Sequence, residues 1–531
     1  MQLIRAGLLC ALGMVVAAQG AVLGAPAANA AAPGGNGRQQ AITPIDAISA
    51  DSVVDSYGVG IHLNFLNTPY ADADAVAQKL ADLGVRHVRD DLFLASPRQY
   101  AAIATVAQRG IGFDLIMGRP DSGAAPADYV DTVATQLPPG AVESLEGANE
   151  WDYFGPDDSA TWVPQVKSWQ QRLYTAAKAD PATADLPVLS PALAFKQNYA
   201  VAGDLSENAD LANAHMYPGG YRPSNQIKQI TDALRTSIPT KPLVTTEAGY
   251  HNALGSDGGH RGVPEDVAGT YLPRLLLEHV LRGDERMYSY ELIDEFDDYG
   301  LTNPEANFGL LHHDLTPKPA YTAMKNLLGL LADPGQSFEP GSLAIEADGL
   351  PPGEARYVLT QKSNGQFVLL LWRDVSVWDP VQKARLPVTP ADVTLKLGAS
   401  KDLAVYRPSD GTDPERETTA DSLSLQLGGE VVAVTIGPPS PPTVPLAPRI
   451  GSVWTGKRSV TVTWAKPDDR GSALTGYRLV VLGRVVNVGP GALRATISGL
   501  PARKRLRVGV RARNEVGLSG TAYTKYVTTK A

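Results

Sequence analysis

Asp74-Ala75-Val76-Ala77-Gln78-Lys79-Leu80-Ala81-Asp82-Leu83-Gly84 runs directly into Val85-Arg86-His87-Val88-Arg89-Asp90. The first stretch places Val76, Leu80 and Leu83 on one helical face, offers Asp74 as its cap, and ends on a glycine suited to the left-handed stop. The second is a short strand-forming run. The same strand and helix unit recurs outward from this point. Candidate strands fall at 58–63, 85–90, 112–117, 142–147, 186–191, 211–215, 243–247 and 286–291, with helical patterns between them. Eight units within residues 51–332 predict an α/β domain closed as a (β/α)8 TIM barrel. An open doubly wound sheet would show a glycine-rich phosphate loop after its first strand, and Gly58-Val59-Gly60-Ile61-His62-Leu63 does not meet that pattern.

Beyond the barrel the periodicity changes to strands and turns. Tyr357-Val358-Leu359-Thr360, the run 366–372, Val393-Thr394-Leu395-Lys396-Leu397 and Val431-Val432-Ala433-Val434-Thr435 predict a small β-sandwich over residues 335–437. Residues 438–445, rich in proline, predict a stiff linker. A second all-β module occupies 446–530, with alternating runs at 459–464 and 476–481. The charge divides at the same linker. Of the net −9, residues 440–531 carry sixteen Lys and Arg against three acids, or +13, which leaves −22 for the remainder.

At the other end, Arg5, an apolar run from Ala6 to Leu23 and the small-residue exit Ala27-Ala28-Asn29-Ala30 read as a secretory signal peptide over residues 1–31. Residues 32–50 read as a flexible N-terminal segment, and the expected location is extracellular. No later stretch is long and apolar enough to span a bilayer. The only cysteine, Cys10, lies within the signal, so disulfides, thiol catalysis and Cys-based zinc sites are excluded from the mature chain. Histidines lack metal-ligand spacing, no cofactor is implied, and no G-x-S-x-G elbow occurs. The acidic loop 294–298 lacks the EF-hand pattern and leaves calcium binding open.

Two acids sit where a barrel does its chemistry, at the carboxyl ends of strands. Glu150 comes after the fourth candidate strand in Glu146-Gly147-Ala148-Asn149-Glu150-Trp151, and Glu247 ends the seventh in Leu243-Val244-Thr245-Thr246-Glu247-Ala248. Two carboxyl groups facing each other about 5 Å apart can open a glycosidic bond with retention, one donating a proton and one attacking the anomeric carbon. Glu146 is the rival acid, and its place inside the strand makes it a buried partner of Arg89 or of another barrel base instead.

The Asn-Glu pair after strand four and the Glu ending strand seven resemble the signature of the clan A retaining glycoside hydrolases, a group that takes in cellulases, xylosidases, galactosidases and glucuronidases. The resemblance covers residues 51–332 and rests on short motifs in a set order. It implies Glu150 as acid/base, Glu247 as nucleophile and Asn149 as a partner of the substrate 2-hydroxyl. It also implies Arg89 as the strand-two arginine beneath the nucleophile, where a fixed positive charge would lower the Glu247 pKa. His215 and Tyr217 would orient the nucleophile. His62 on strand one and Trp151 beside the acid are further candidate substrate contacts. Where many members end strand eight with tryptophan, this chain has Tyr290-Glu291, so Tyr290 is expected to floor the sugar ring and Glu291 to add a polar contact. The stretch 308–321 is similar to the segment after strand eight in such enzymes.

The last module resembles a fibronectin type III domain, with Trp464 as its core tryptophan and Leu506 where the family has a corner tyrosine. The expected partners are a polysaccharide or glycoside substrate and, through the basic module, an anionic cell-wall polymer. The competing reading is a catalytically inactive carbohydrate-binding or cell-wall adhesive protein on the same fold.

Overall fold

The computed structural model describes residues 44–334, 337–437, 444–467 and 474–531. The expected signal peptide and residues 438–443 of the expected linker 438–445 lie outside the described residues. Two compact units divide after Ile436.

All eight expected barrel strands form: β1 Tyr57–Gly60, β2 His87–Asp91, β3 Gly112–Ile116, β4 Val142–Glu146, β5 Val188–Leu189, β6 Ala212–His215, β7 Leu243–Ala248 and β8 Arg286–Ser289. They make one parallel sheet in the order β5-β4-β3-β2-β1-β8-β7-β6, and a parallel bridge from Leu189 to Leu211 closes it. Helices α1 Ala73–Leu83, α2 Pro97–Ala107, α3 Pro126–Gln136, α4 Ser159–Ala179, α5 Asn198–Ala202, α6 Ile227–Ser237, α7 Glu265–Arg282 and α8 Pro319–Leu331 succeed the strands in turn. Strands covered on both faces are buried along their length, as β3 and β7 are throughout. In α1 the cap is Asp72 rather than Asp74, its carboxylate accepting the Ala75 amide at 3.0 Å, and Gly84 takes the expected left-handed stop at φ 87°.

The expected β-sandwich is built from β9 Ala355–Gln361, β10 Phe367–Arg373, β11 Ala391–Tyr406, β12 Arg416–Leu427 and β13 Val432–Ile436. Period-two alternation gives the sheet two buried faces. Val358, Val368, Leu370, Trp372 and Ala433 join the barrel core. Leu359, Leu369, Leu371, Val432 and Val434 join a second core with Val393, Leu395, Leu403 and Leu423. Polar groups tie the first face down as well: Trp372 Nε1 donates to Glu278 Oε1 at 2.9 Å, and buried Arg274 donates to the carbonyls of Gly429 and Val375. This sheet is therefore part of the same compact unit as the barrel, not a separate body.

The N-terminal segment also departs from expectation. Although residues 32–50 read as flexible, Ile45–Asp46 pairs with Ser342–Leu343, and Ile48–Ser49 pairs in parallel with Thr360–Gln361. Ile45 and Ala47 pack on the second core, which supplies the burial that composition alone did not reveal.

The second unit holds a three-stranded antiparallel sheet (Arg449–Gly456, Ser459–Ala465, Arg494–Ile497) and a four-stranded one (Arg484–Val488, Gly476–Val481, Gly509–Arg513, Ala522–Tyr523). They share one core, in which Trp464 meets Tyr477 at 5.2 Å between ring centroids.

Candidate active site

Arg89 is the centre of the barrel mouth. Strand β2 directs it inward, where it is 4% exposed. Its guanidinium donates to both oxygens of fully buried Glu146 (2.6 and 2.8 Å), to Glu247 Oε1 (2.7 Å) and to Asn149 Oδ1 (2.8 Å). The planar fork suits such a set of fixed acceptors. Burial opposes its charge, but Glu146 and Glu247 outweigh that, so the guanidinium stays charged. Because Asn149 accepts through its oxygen, its amide nitrogen is left to donate elsewhere.

Glu247, at the end of β7, also accepts from Tyr217 Oη at 2.7 Å. Burial would raise its pKa, but the positive charges of His215 and Arg89, with the hydrogen bonds from Tyr217 and Arg89, hold it below the usual carboxylate value. His215 Nδ1 lies 2.6 Å from Glu150 Oε1 and 3.4 Å from Glu247 Oε2. Burial works against its charged form, yet Glu247 and Glu150 together raise its pKa. One ligand-type atom from each of Glu150, His215 and Glu247 falls within 4.8 Å of the other two.

Glu150 occupies an unusual backbone position. Its φ of 45° and ψ of 41° are left-handed, where a non-glycine residue is strained by roughly 1–3 kcal/mol. Its amide donates to the Ala192 carbonyl at 3.1 Å, and its carbonyl starts the single helical turn Trp151–Phe154. The turn is thus pinned between the loops after β4 and β5.

The structure brings Arg89, Asn149, Glu150, His215, Tyr217 and Glu247 together. Tyr290 is half-buried at the rim, its ring edge-on to Phe308 at 5.2 Å and its hydroxyl donating to Glu305 at 3.1 Å. His62 stacks on Phe65 at 4.5 Å, and burial pushes its pKa down to about 4, so it is neutral. Two expected contacts lie elsewhere. Glu291, joined to Tyr290 by a cis peptide, is fully buried, accepts from Tyr70 Oη at 2.8 Å, and lies 3.3 Å from His62. It supports the wall behind His62 instead of reaching a ligand, and burial keeps its pKa well above the carboxylate range. Trp151 is 3% exposed and donates to Gln165 of α4 at 2.8 Å, so it anchors the turn, while Tyr153 and Phe154 stay exposed.

Three further groups were not foreseen. Asp114 on β3, in register with Arg89 of β2, accepts from Ser144 Oγ at 2.6 Å and is pushed up to about 8 by burial and by Glu146. Tyr70 supports Glu291, and Glu305 supports Tyr290. His62, Glu291 and Glu295 form a second set of ligand-type atoms within 4.8 Å of one another. In the acidic loop, Asp298 accepts from the Thr302 and Asn303 amides and from the Asn307 side chain, and Asp294 pairs with Lys318 at 2.7 Å. These two acids thus brace the loop itself.

No protein-family model and no curated protein matches the chain. Among solved structures it is similar to a family 39 glycoside hydrolase from the gut symbiont Bacteroides cellulosilyticus WH2, at 15% identity and a TM-score of 0.51, over 73% of this chain and 82% of that one. It is also similar to a glucosidase from Croceicoccus marinus, at 12% identity and a TM-score of 0.50, over 75% of this chain and 98% of that one. At such identities the likeness concerns architecture: the chain has the TIM-barrel fold on which these glycoside hydrolases are built.

Proposed function

We propose that the protein is a secreted retaining glycoside hydrolase with Glu150 as acid/base and Glu247 as nucleophile. The observation that carries this reading is the convergence of Glu150 and Glu247 around His215 within 4.8 Å, which fits the short carboxyl spacing of retaining rather than inverting enzymes.

In the first step Glu150 gives its proton to the glycosidic oxygen, the bond from that oxygen to the anomeric carbon breaks, and a Glu247 oxygen bonds to that carbon. In the second, Glu150 takes a proton from water, the water oxygen attacks the anomeric carbon, and Glu247 leaves as carboxylate. Arg89 and Tyr217 keep Glu247 ionised and aimed. His215 Nδ1, between the two acids, steadies both carboxylates as charge moves from one to the other. The Asn149 amide is free to donate to the sugar 2-hydroxyl, a bond that strengthens as positive charge develops on the ring.

The N-terminal signal pattern supports secretion, and the two sheets of the last unit around Trp464 support a fibronectin type III module that tethers the enzyme to anionic polymer. The rival reading, an inactive carbohydrate-binding protein, leaves unexplained why a buried arginine should hold Glu247 ionised. The test is hydrolysis of a panel of aryl glycosides and polysaccharides, with the product anomer tracked by proton NMR. Initial release of the retained anomer supports the proposal; no turnover on any substrate, or an inverted product, overturns it.

A further inference from the structure

The exposed rings of the barrel are not scattered. Phe93, Tyr153, Phe154, Phe195, Tyr221 and Tyr299 are all exposed, and each lies in a connection leaving the carboxyl end of a barrel strand. Three of them form one patch. Tyr153 meets Phe154 at 5.0 Å and Phe195 at 5.9 Å between centroids, and the three are 52%, 53% and 42% exposed. Exposed aromatic clusters of this kind mark contact surfaces.

The patch is held in place from below. Asp152, 8% exposed, accepts the amides of Ala194 and Phe195 (2.9 and 3.1 Å) and the Asn198 side chain (2.9 Å). It thereby fastens the loop after β5 to the turn that begins at Glu150. The Tyr153 and Phe154 amides in turn donate to the Glu150 carbonyl at 2.8 and 3.0 Å. Tyr153 and Phe154 are therefore coupled directly to the backbone of the proposed proton donor, and Phe195 is coupled to it through Asp152.

A proton donor stands beside the departing oxygen, so whatever lies next to it meets the leaving group. Resting on the hydrolase reading, we infer that Tyr153, Phe154 and Phe195 form a stacking platform for the leaving group, and that this group is itself a chain of sugar rings, whose apolar faces suit exposed aromatics. The protein then acts on a sugar chain and expels an oligosaccharide, not a small aglycone. Asp152 is the positioning residue of the platform.

The test compares kcat/KM on a glycosyl fluoride, whose leaving group has no ring, with kcat/KM on the matching pentasaccharide. Laminaripentaose, xylopentaose and cellopentaose are the probes. Tyr153→Ala and Phe195→Ala should each lower the ratio of pentasaccharide to fluoride about tenfold, and Tyr153→Phe should restore it. In the Glu247→Gln protein the same substitutions should weaken pentasaccharide binding in calorimetry by a similar factor. If the wild type hydrolyses a pentasaccharide and the ratio does not move, the platform is wrong while the hydrolase reading stands. If nothing is hydrolysed but binding weakens as stated, the hydrolase reading is wrong while the rings remain a sugar-binding surface. Should the substitutions leave ratio and binding alone but convert a dimer to a monomer in sedimentation, the patch is an interface between copies, and the inference falls.

Discussion

The same guanidinium that lies 2.7 Å from Glu247 holds Glu146 by two hydrogen bonds, so Arg89 ties the proposed nucleophile to a carboxylate with no exposure to solvent. Taking that guanidinium away strips Glu146 of both bonds while leaving it buried. Arg89→Ala should therefore destabilise the fold by about 3–5 kcal/mol, the usual effect of removing one member of a buried pair. Arg89→Lys keeps the charge but not the fork, and should retain more stability than activity. Thermal melts read beside kcat/KM check this; an unchanged melting temperature in Arg89→Ala would refute it.

The two proposed acids should fail differently. Glu247→Gln removes the attacking oxygen and should reduce turnover to background on every substrate. Glu150→Ala removes only proton donation, so it should keep substrates with activated leaving groups and recover with azide, which enters the vacated space as an external nucleophile. Steady-state rates on dinitrophenyl and methyl glycosides with and without azide separate the roles, and near-native rates in Glu247→Gln would exclude it as nucleophile.

Asn149→Ala should lower kcat far more than it raises KM, because the 2-hydroxyl contact tightens only as the oxocarbenium ion forms. On a 2-deoxy glycoside the difference between wild type and variant should largely vanish. An undiminished preference for the parent sugar in the variant would assign the contact to another residue.

Asp114 links the site to stability. Its carboxyl is raised from 3.8 to about 8 by burial and by Glu146 nearby. Between those values the folded chain keeps a proton that the unfolded chain has released, so this group's stabilising contribution is complete at low pH and declines as pH rises through about 8. Asp91, raised to about 6, and Glu295, raised to about 7, act in the same sense. Asp114→Asn should flatten, without abolishing, the decrease in melting temperature between pH 5 and 8. An equal slope in wild type and variant would show that Asp114 is ionised in the fold.

In the C-terminal unit Arg505 lies over Tyr526 at 4.8 Å and Arg507 over Tyr523 at 4.1 Å, and all four side chains are exposed. With Arg503 and Lys504 they form a basic surface suited to polyanions. The full chain should sediment with insoluble acidic wall material at about 50 mM salt better than a chain ending at Gly437, and the difference should shrink at about 500 mM. Equal pull-down of both at low salt would remove this unit as an anchor.

How much of the molecule is legible in its sequence depends on how local each cause is. Strands such as β3 and β7 were legible because a strand buried on both faces reads as an apolar run between turn residues, whereas β2, mostly polar, was legible from its place after a capped amphipathic helix. That Glu150, Glu247 and Arg89 would meet was legible because the barrel puts strand ends in one place. Asp72 was missed as the cap of α1 because Asp74, two residues on, fits the same pattern. Strand β12 escaped because its first half, Arg416-Glu417-Thr418-Thr419-Ala420-Asp421, is polar and mostly exposed. The fate of Glu291 depends on Tyr70, far away in the chain, and no periodicity carries that contact. Asp114 did leave a signal: a lone acid inside an otherwise apolar parallel strand.

The shared face between β10 and the barrel limits how this molecule can be divided. Trp372 finishes a core that the barrel helices begin, and Arg274 of α7 reaches its carbonyl partners only in residues beyond β10. A barrel cut off after α8 would leave the Arg274 guanidinium and the Glu278 carboxylate without these partners, beside an apolar face opened to water. The barrel is therefore not a module to be recombined at will. Any ancestor or engineered relative that exchanged the barrel alone would have to cover that face, whereas the stretch from Ile45 to Ile436 can travel as one piece.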